Sequence, residues 1–200
     1  TTEIYTLSLH DALPIYNGPA RTLYRNGTTK ATFTYREGKK HGHETVYYEN
    51  GHLYMETDYT DGNIRGIRKM YWETGQLLAE VPYRSNEAQP GLVEYNRSGK
   101  KITQYPELLI ALEDYSEHEG RIDIRMRLSN HARRVTYWVW NPIPQKWTEV
   151  PGFNGEAVYP AAAAHARNGL TVKVKAIYKT RYLNPYVILK EVKVKSHRVP

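Results

Sequence analysis

Residues 47–66 read YYENGHLYMETDYTDGNIRG, and residues 71–83 read YWETGQLLAEVPY. Laid over one another at an offset of 24, the two stretches align Tyr47 with Tyr71, Gly51 with Gly75, Leu53 with Leu77 and Tyr59 with Tyr83. The same offset extends outward in both directions. Gly27, Gly51, Gly75 and Gly99 fall 24 apart, Tyr35 precedes Tyr59 by that interval, and Tyr95 follows Tyr71 by it. Gly38 with Gly62 and Gly42 with Gly66 keep the spacing too. Several independent columns sharing one period mark a repeat architecture.

Each unit reads as two short strands and two tight turns. Asn26-Gly27, Asn50-Gly51, Thr74-Gly75 and Ser98-Gly99 end one strand with a residue that takes positive φ without a steric penalty. Glu37-Gly38 and Asp61-Gly62 close the other side, and pairs of this type between alternating strands are strong hairpin signals. Period-two alternation places Leu53, Met55, Thr57 and Tyr59 on one face, with Leu77, Ala79, Val81 and Tyr83 one repeat later and Ala31, Phe33 and Tyr35 one repeat earlier. Glu56, Asp58 and Glu80 then face outward. No single hairpin buries such a face, so neighbouring units are expected to stack into one continuous sheet.

These residues resemble the MORN-repeat family in its variant form, YYxNGxLxxExxYxxGxxxG. Tyr47-Tyr48-Glu49-Asn50-Gly51-His52-Leu53, Glu56, Tyr59, Gly62 and Gly66 follow that pattern. Tyr71-Trp72-Glu73-Thr74-Gly75-Gln76-Leu77, Glu80 and Tyr83 follow it until Asn86 and Pro90 replace the two later glycines. The resemblance spans residues 20–105. It implies a binding scaffold with no catalytic residue inside the repeat, and an antitoxin role with a toxin as protein partner is one form it takes.

Near Tyr105-Pro106 the rhythm stops. Arg121–Leu128 alternates with Ile122, Ile124, Met126 and Leu128 on one face. Residues 135–141, 156–159, 171–178 and 186–194 also read as strands, punctuated by Asn141-Pro142, Gly152, Gly155, Gly169 and Asn184-Pro185. Leu108–Leu112 is taken as a further strand. Such a run of short strands predicts an antiparallel β-sandwich over residues 106–200, similar in pattern to an immunoglobulin or fibronectin type III domain. The whole chain is thus expected to be all-β, with stacked hairpin repeats over 16–105 and the sandwich after them.

Thr1–Ile15 reads TTEIYTLSLHDALPI, which back-translates in frame into a standard short-read sequencing adapter. The segment is therefore treated as non-native and excluded from fold reasoning, His10 and Asp11 with it. The true N-terminus is then missing, and the compartment stays open between the cytoplasm for an antitoxin and the cell envelope or exterior for a scaffold.

Composition narrows the chemistry. The 200 residues include no Cys, which excludes disulfides, thiol nucleophiles and thiolate metal sites. Eighteen Tyr and four Trp stand against two Phe, a bias suited to half-buried strands whose rings keep a wet tip. The net charge of +7 favours acidic partners but is spread along the chain, as on a solvated surface. His41-Gly42-His43-Glu44 is a local cluster in a turn without the converging ligands a metal needs, and Glu117-His118-Glu119 reads as an acidic turn. No phosphate loop, HExxH or GxSxG motif occurs, so no catalytic, cofactor or metal residue is assigned.

Binding surfaces remain. Tyr24, Tyr48 and Trp72 form one column of the repeat, of opposite pleat to the Leu23, Tyr47, Tyr71 and Tyr95 column. An outward column is either cross-strand packing that shields the backbone or an aromatic ladder for a protein partner. Trp138, Trp140 and Trp147 offer an alternative sugar platform, although Trp138 and Trp140 on such a strand are expected to fill the core. The absence of a stacking motif or basic stripe argues against nucleic acid. The expectation is a non-enzymatic protein-interaction protein. A carbohydrate-binding module and a basic membrane-surface adaptor are its rivals.

Overall fold

The computed structural model describes residues 15–142, 144–162 and 170–194. Thr1–Pro14, most of the adapter-like segment, lie outside the described residues. Everything described is strand, turn or loop, so the chain is all-β as its turn chemistry predicts.

The repeats build one antiparallel sheet. Its strands are β1 (Gly18–Leu23), β2 (Thr29–Arg36), β3 (Lys39–Lys40), β4 (Gly42–Tyr47), β5 (Leu53–Thr60), β6 (Asn63–Tyr71), β7 (Leu77–Arg84), β8 (Glu87–Ala88) and β9 (Val93–Glu94). They run β1-β2-β4-β5-β6-β7-β8 across the sheet, with β3 on β2 and β9 on β7. Sequence neighbours are spatial neighbours, as a stack of hairpins requires.

One turn recurs at every copy. Gly27, Gly51, Gly75 and Gly99 hold φ of 84°, 85°, 86° and 78°, and each donates its N–H to the carbonyl three residues back, on Tyr24, Tyr48, Trp72 and Asn96. The opposite turns also use the left-handed region, at Glu37-Gly38, Asp61-Gly62 and Ser85-Asn86. Asn86 thus stands in for a glycine without changing the turn, because its short polar side chain tolerates that conformation. Its Oδ1 also accepts from the Ile64 N–H at 2.8 Å, which ties the turn to the preceding copy. The register slips at the same place in successive hairpins, between Thr22 and Leu23, Val46 and Tyr47, and Met70 and Tyr71. The bulge is part of the repeat rather than an irregularity of one strand.

The predicted inner face is the buried one, with Ala31, Thr57, Ala79 and Val81 out of solvent and Asp58 exposed. It is not a purely apolar face. Glu44 is only 5% exposed and pairs with Lys40, whose ammonium also lies over the rings of Phe33 and Tyr59. Arg68 donates to the Thr57 hydroxyl at 3.1 Å and lies over the Tyr83 ring. Each buried charge therefore has a partner, as burial demands. Strand β7 departs from alternation, since Leu78 is buried along with Ala79 and Val81.

The second half forms two four-stranded antiparallel sheets that share one core. β10 (Leu108–Tyr115), β11 (Arg121–Leu128), β15 (Glu156–Ala162) and β14 (Gly152–Phe153) make the first sheet in that order. β13 (Lys146–Val150), β12 (Val135–Asn141), β16 (Leu170–Lys179) and β17 (Pro185–Val194) make the second. Ile122, Ile124, Met126 and Leu128 face Tyr137, Val139, Val172, Val174 and Ala176 across the core. The pleat of β12 corrects one expectation. Tyr137 and Val139 point inward, so Trp138 and Trp140 lie on the outer face of the sheet and not in the core. Gly155 is fixed by close approach, because a Cβ there would sit 2.2 Å from the Ala132 carbonyl oxygen. Its own carbonyl accepts the buried Tyr137 hydroxyl at 2.8 Å.

The repeat turns yield a direct test. Gly51→Val forces a β-branched residue into positive φ and is expected to lower stability by roughly 1–3 kcal/mol in denaturant unfolding. Val at the exposed His52, in the same turn, is expected to change it by less than about 0.5 kcal/mol.

Candidate binding surfaces

The column Tyr24, Tyr48 and Trp72 begins as a set of staples. The Tyr24 hydroxyl donates to the Tyr47 carbonyl at 2.7 Å, and the Tyr48 hydroxyl donates to the Tyr71 carbonyl at 2.8 Å. Each ring therefore ties its own turn to the strand of the next copy and stays half-buried. Tyr48 also packs edge-on against Tyr54, with centroids 5.0 Å apart, and Lys30 lies over the Tyr24 ring. Trp72 continues the column but not the bond. Its Nε1–H is buried with no acceptor among the described residues. Instead its ring meets Tyr182 of the second half edge-on at 5.2 Å.

That contact belongs to a built junction. Leu78, Ala79, Val81 and Leu92 form a second core, against which Trp72, Tyr83, Tyr105, Tyr182 and Tyr186 pack. Tyr105 stacks flat on Tyr186 at 4.5 Å, and Tyr186 meets Tyr178 edge-on. At its centre lies Glu94, 1% exposed. One oxygen accepts from the Thr180 hydroxyl at 2.6 Å and the Asn184 amide at 2.7 Å, and the other accepts from the Tyr105 hydroxyl at 3.3 Å. Among the described residues its side-chain partners are three neutral donors, and two of them come from the hairpin joining β16 to β17. This role is not legible in the sequence, because Glu94 belongs to none of the recurring columns and its partners lie 86 and 90 residues away.

The outer face of the second sheet carries the other tryptophans. Trp140 and Trp147 are directly opposed across β12 and β13 and meet at 5.5 Å. The Lys175 ammonium lies 4.8 Å from the Trp138 ring centre and 4.9 Å from that of Trp147. Leu189, opposite Lys175 in register, is 53% exposed. The three rings predicted as a platform thus share one sheet face, two of them around one cation. In the histidine cluster, His43 meets the Asp58 carboxylate at 2.8 Å on the outer face, while Glu44 turns inward to Lys40. The pleat separates these neighbours, and His41 lies by Asp61 instead.

A family model described as MORN repeat variant matches this chain over residues 40–61 and 65–85. The middle repeats carry the family's pattern. These segments take in β4, β5, β7 and most of β6, with the Tyr48–Tyr71 staple but not Tyr24. No curated protein and no solved structure shows significant similarity to the chain. MORN repeats are non-enzymatic modules that bind proteins or membrane surfaces.

Glu94→Leu strands the Thr180 hydroxyl and the Asn184 amide in a dry site and is expected to cost roughly 2–4 kcal/mol, whereas Glu94→Gln retains an acceptor oxygen and costs less than half of that. Equal losses in denaturant unfolding would count against the latch. Burial pushes the Tyr71, Tyr137 and Tyr178 hydroxyls up to about 12, with further raising by the carboxylates of Glu56, Glu156 and Glu94 respectively and, for Tyr178, by Tyr186. Burial also raises Tyr105, beside Glu94. An unfolded chain releases those protons near pH ~10, so their contribution to stability is full below that pH and falls as the pH rises toward ~12. Ultraviolet titration of tyrosinate is expected to show a late-titrating group that merges with the rest once the protein is denatured.

Proposed function

We propose that this chain is a non-enzymatic protein-interaction scaffold. A MORN-type repeat sheet over 16–105 presents the binding surface, and a sandwich over 106–200 holds its last copy rigid. The observation that carries the reading is the match of residues 40–61 and 65–85 to a repeat whose members bind proteins or membranes. The strand order of the two later sheets supports an immunoglobulin-like assignment for the second module, with β10-β11-β15-β14 and β13-β12-β16-β17 in the places of the two sheets of that sandwich. Interaction is carried by the half-buried rings of Tyr24 and Tyr48, with Tyr54 and Lys30 beside them, since rigid aromatic side chains lose little entropy on contact. Trp72, third in that column, belongs to both the surface and the junction. An antitoxin is the form this function takes if the partner is a toxin, and an envelope scaffold is the other form.

One observation favours a second reading. Trp138, Trp140 and Trp147 stand on an outer sheet face with Lys175 between two of them, an arrangement on which sugar rings stack. Their truncation leaves the core intact, so folding and binding can be separated. The interaction reading expects a protein partner held by the wild-type chain and by Tyr48→Phe, which keeps the ring. Affinity is expected to fall by more than about tenfold in Tyr24→Ala/Tyr48→Ala when titrated under conditions where that variant is folded. A glycan array is the counter-test. An oligosaccharide retained by wild type and lost only in Trp138→Ala/Trp140→Ala would move the function to the second module. Binding to anionic vesicles alone, reversed by salt, would mark a membrane-surface adaptor instead.

A further inference from the structure

The repeat changes character at its fourth turn. In the position after the aromatic column, the inner copies carry Glu49 and Glu73, whereas the last carries Arg97. The column itself runs Tyr24, Tyr48, Trp72 and then Asn96, a side chain much smaller than a ring. Beside these two departures lies a cavity of about 660 Å³ between the fourth turn and the Thr180–Asn184 hairpin, lined by Trp72, Asn96, Arg97, Ser98, Arg181 and Tyr182 among others.

Two guanidiniums border this cavity, and neither forms an ion pair among the described residues. Arg97 lies over Trp72 with its Cζ 5.2 Å from the ring centre, and Arg181 lies over Tyr182 at 5.0 Å. Trp72 and Tyr182 meet edge-on, so two stacked cations flank one aromatic pair. Stacking orients each guanidinium while leaving its N–H fork free for an acceptor. The Asn96 Oδ1 is already committed, since it accepts from the Ser98 N–H, the Ser98 hydroxyl and the Lys100 N–H, which leaves the Asn96 amide N–H groups as donors. The free hydrogen-bonding capacity of the wall is therefore dominated by donors, those of the two guanidiniums and of the Asn96 amide. Two exposed guanidiniums that line one cavity, neither held in an ion pair among the described residues, can share an anion that both reach.

We infer that this junction cavity is a binding site for an oxyanion group, a carboxylate or phosphate, held between the Arg97 and Arg181 guanidiniums. Its volume falls in the range of small-molecule sites, roughly 300–1,000 Å³, and exceeds what a lone ion fills. Acidic side chains of a peptide and free phosphate share this chemistry. The ligand touches the repeat turn and the sandwich hairpin together, so binding also clamps the junction and raises the melting temperature by mass action. The inference stands independently of which partner the aromatic column takes.

Calorimetric titration of the full chain tests it, with end-blocked tetraglutamate, inorganic phosphate and end-blocked tetraglutamine as probes. Tetraglutamine is expected to give no heat. Tetraglutamate or phosphate is expected to bind and to raise the melting temperature, and whichever binds more tightly assigns the source of the oxyanion. Arg97→Gln and Arg181→Gln are each expected to weaken binding by at least about tenfold and together to abolish it. Arg97→Lys/Arg181→Lys keeps the charge but loses the fork, so it is expected to fall between them and the wild type. Arg25→Gln, at the matching place in the first turn, is expected to have no effect. The inference is overturned if neither anion binds, if the double glutamine variant binds as wild type, or if Arg25→Gln weakens binding as much as the cavity variants.

Discussion

A buried carboxylate, held among the described residues by neutral donors, fixes how the two halves of this protein meet. Glu94 sits at the end of the repeat sheet, and the Thr180 hydroxyl, the Asn184 amide and the Tyr105 hydroxyl replace the water it would otherwise keep. Removing a charge from water is costly, and only a closed set of donors makes the arrangement stable. Those donors exist as a set only when the β16–β17 hairpin lies against the last repeat. The apolar part of the junction, from Leu78 and Val81 to Tyr105 and Tyr186, supplies attraction that is tolerant of small shifts. Glu94 supplies the geometry.

This constraint explains why the repeat loses its pattern at the third and fourth copies. A stacked sheet needs a cap, since its last strand exposes a face and an edge that a further copy would cover. Here the sandwich provides the cap. β7 is buried at Leu78 as well as at Ala79 and Val81, and the third ring of the aromatic column is Trp72. A tyrosine there would staple to the next strand as Tyr24 and Tyr48 do. The indole gives up that bond and offers a larger face to Tyr182. Losing the glycine at position 86 costs little, because Asn86 tolerates the same backbone conformation and adds a bond to the copy before it.

The inner face of the repeats is equally constrained. Lys40, Glu44, Arg68 and Thr57 lie among Phe33, Tyr59 and Tyr83, each paired by hydrogen bond, ion pair or ring contact. A thin sheet of hairpins has no second layer to fill with aliphatic side chains. Long cationic side chains laid over tyrosine and phenylalanine rings cover the face and satisfy their own charges. The preference for Tyr over Phe has the same origin, because a half-buried ring at a sheet face needs a polar tip.

The amino-acid sequence by itself determined the repeat, its period, the positive-φ turns at Gly27, Gly51, Gly75 and Gly99, and the buried faces of β5, β11 and β16. These are local matters, fixed by turn stereochemistry and by the alternation of side chains along an extended strand. The strand over Lys146–Val150 was missed, although its opposition to β12 places Trp147 beside Trp140. The face of β12 is the reverse of the one that ring size suggests. Tyr137 and Val139 filled the core instead, where the Tyr137 hydroxyl found the Gly155 carbonyl. Only the tertiary structure decided that Trp72 leaves the surface column for the junction, that Glu94 is a latch, and that Arg97 and Arg181 border one cavity. Each of these pairs residues far apart in the chain. A periodic pattern encodes neighbours one copy away, whereas which face meets another module depends on shape and desolvation that no single strand contains.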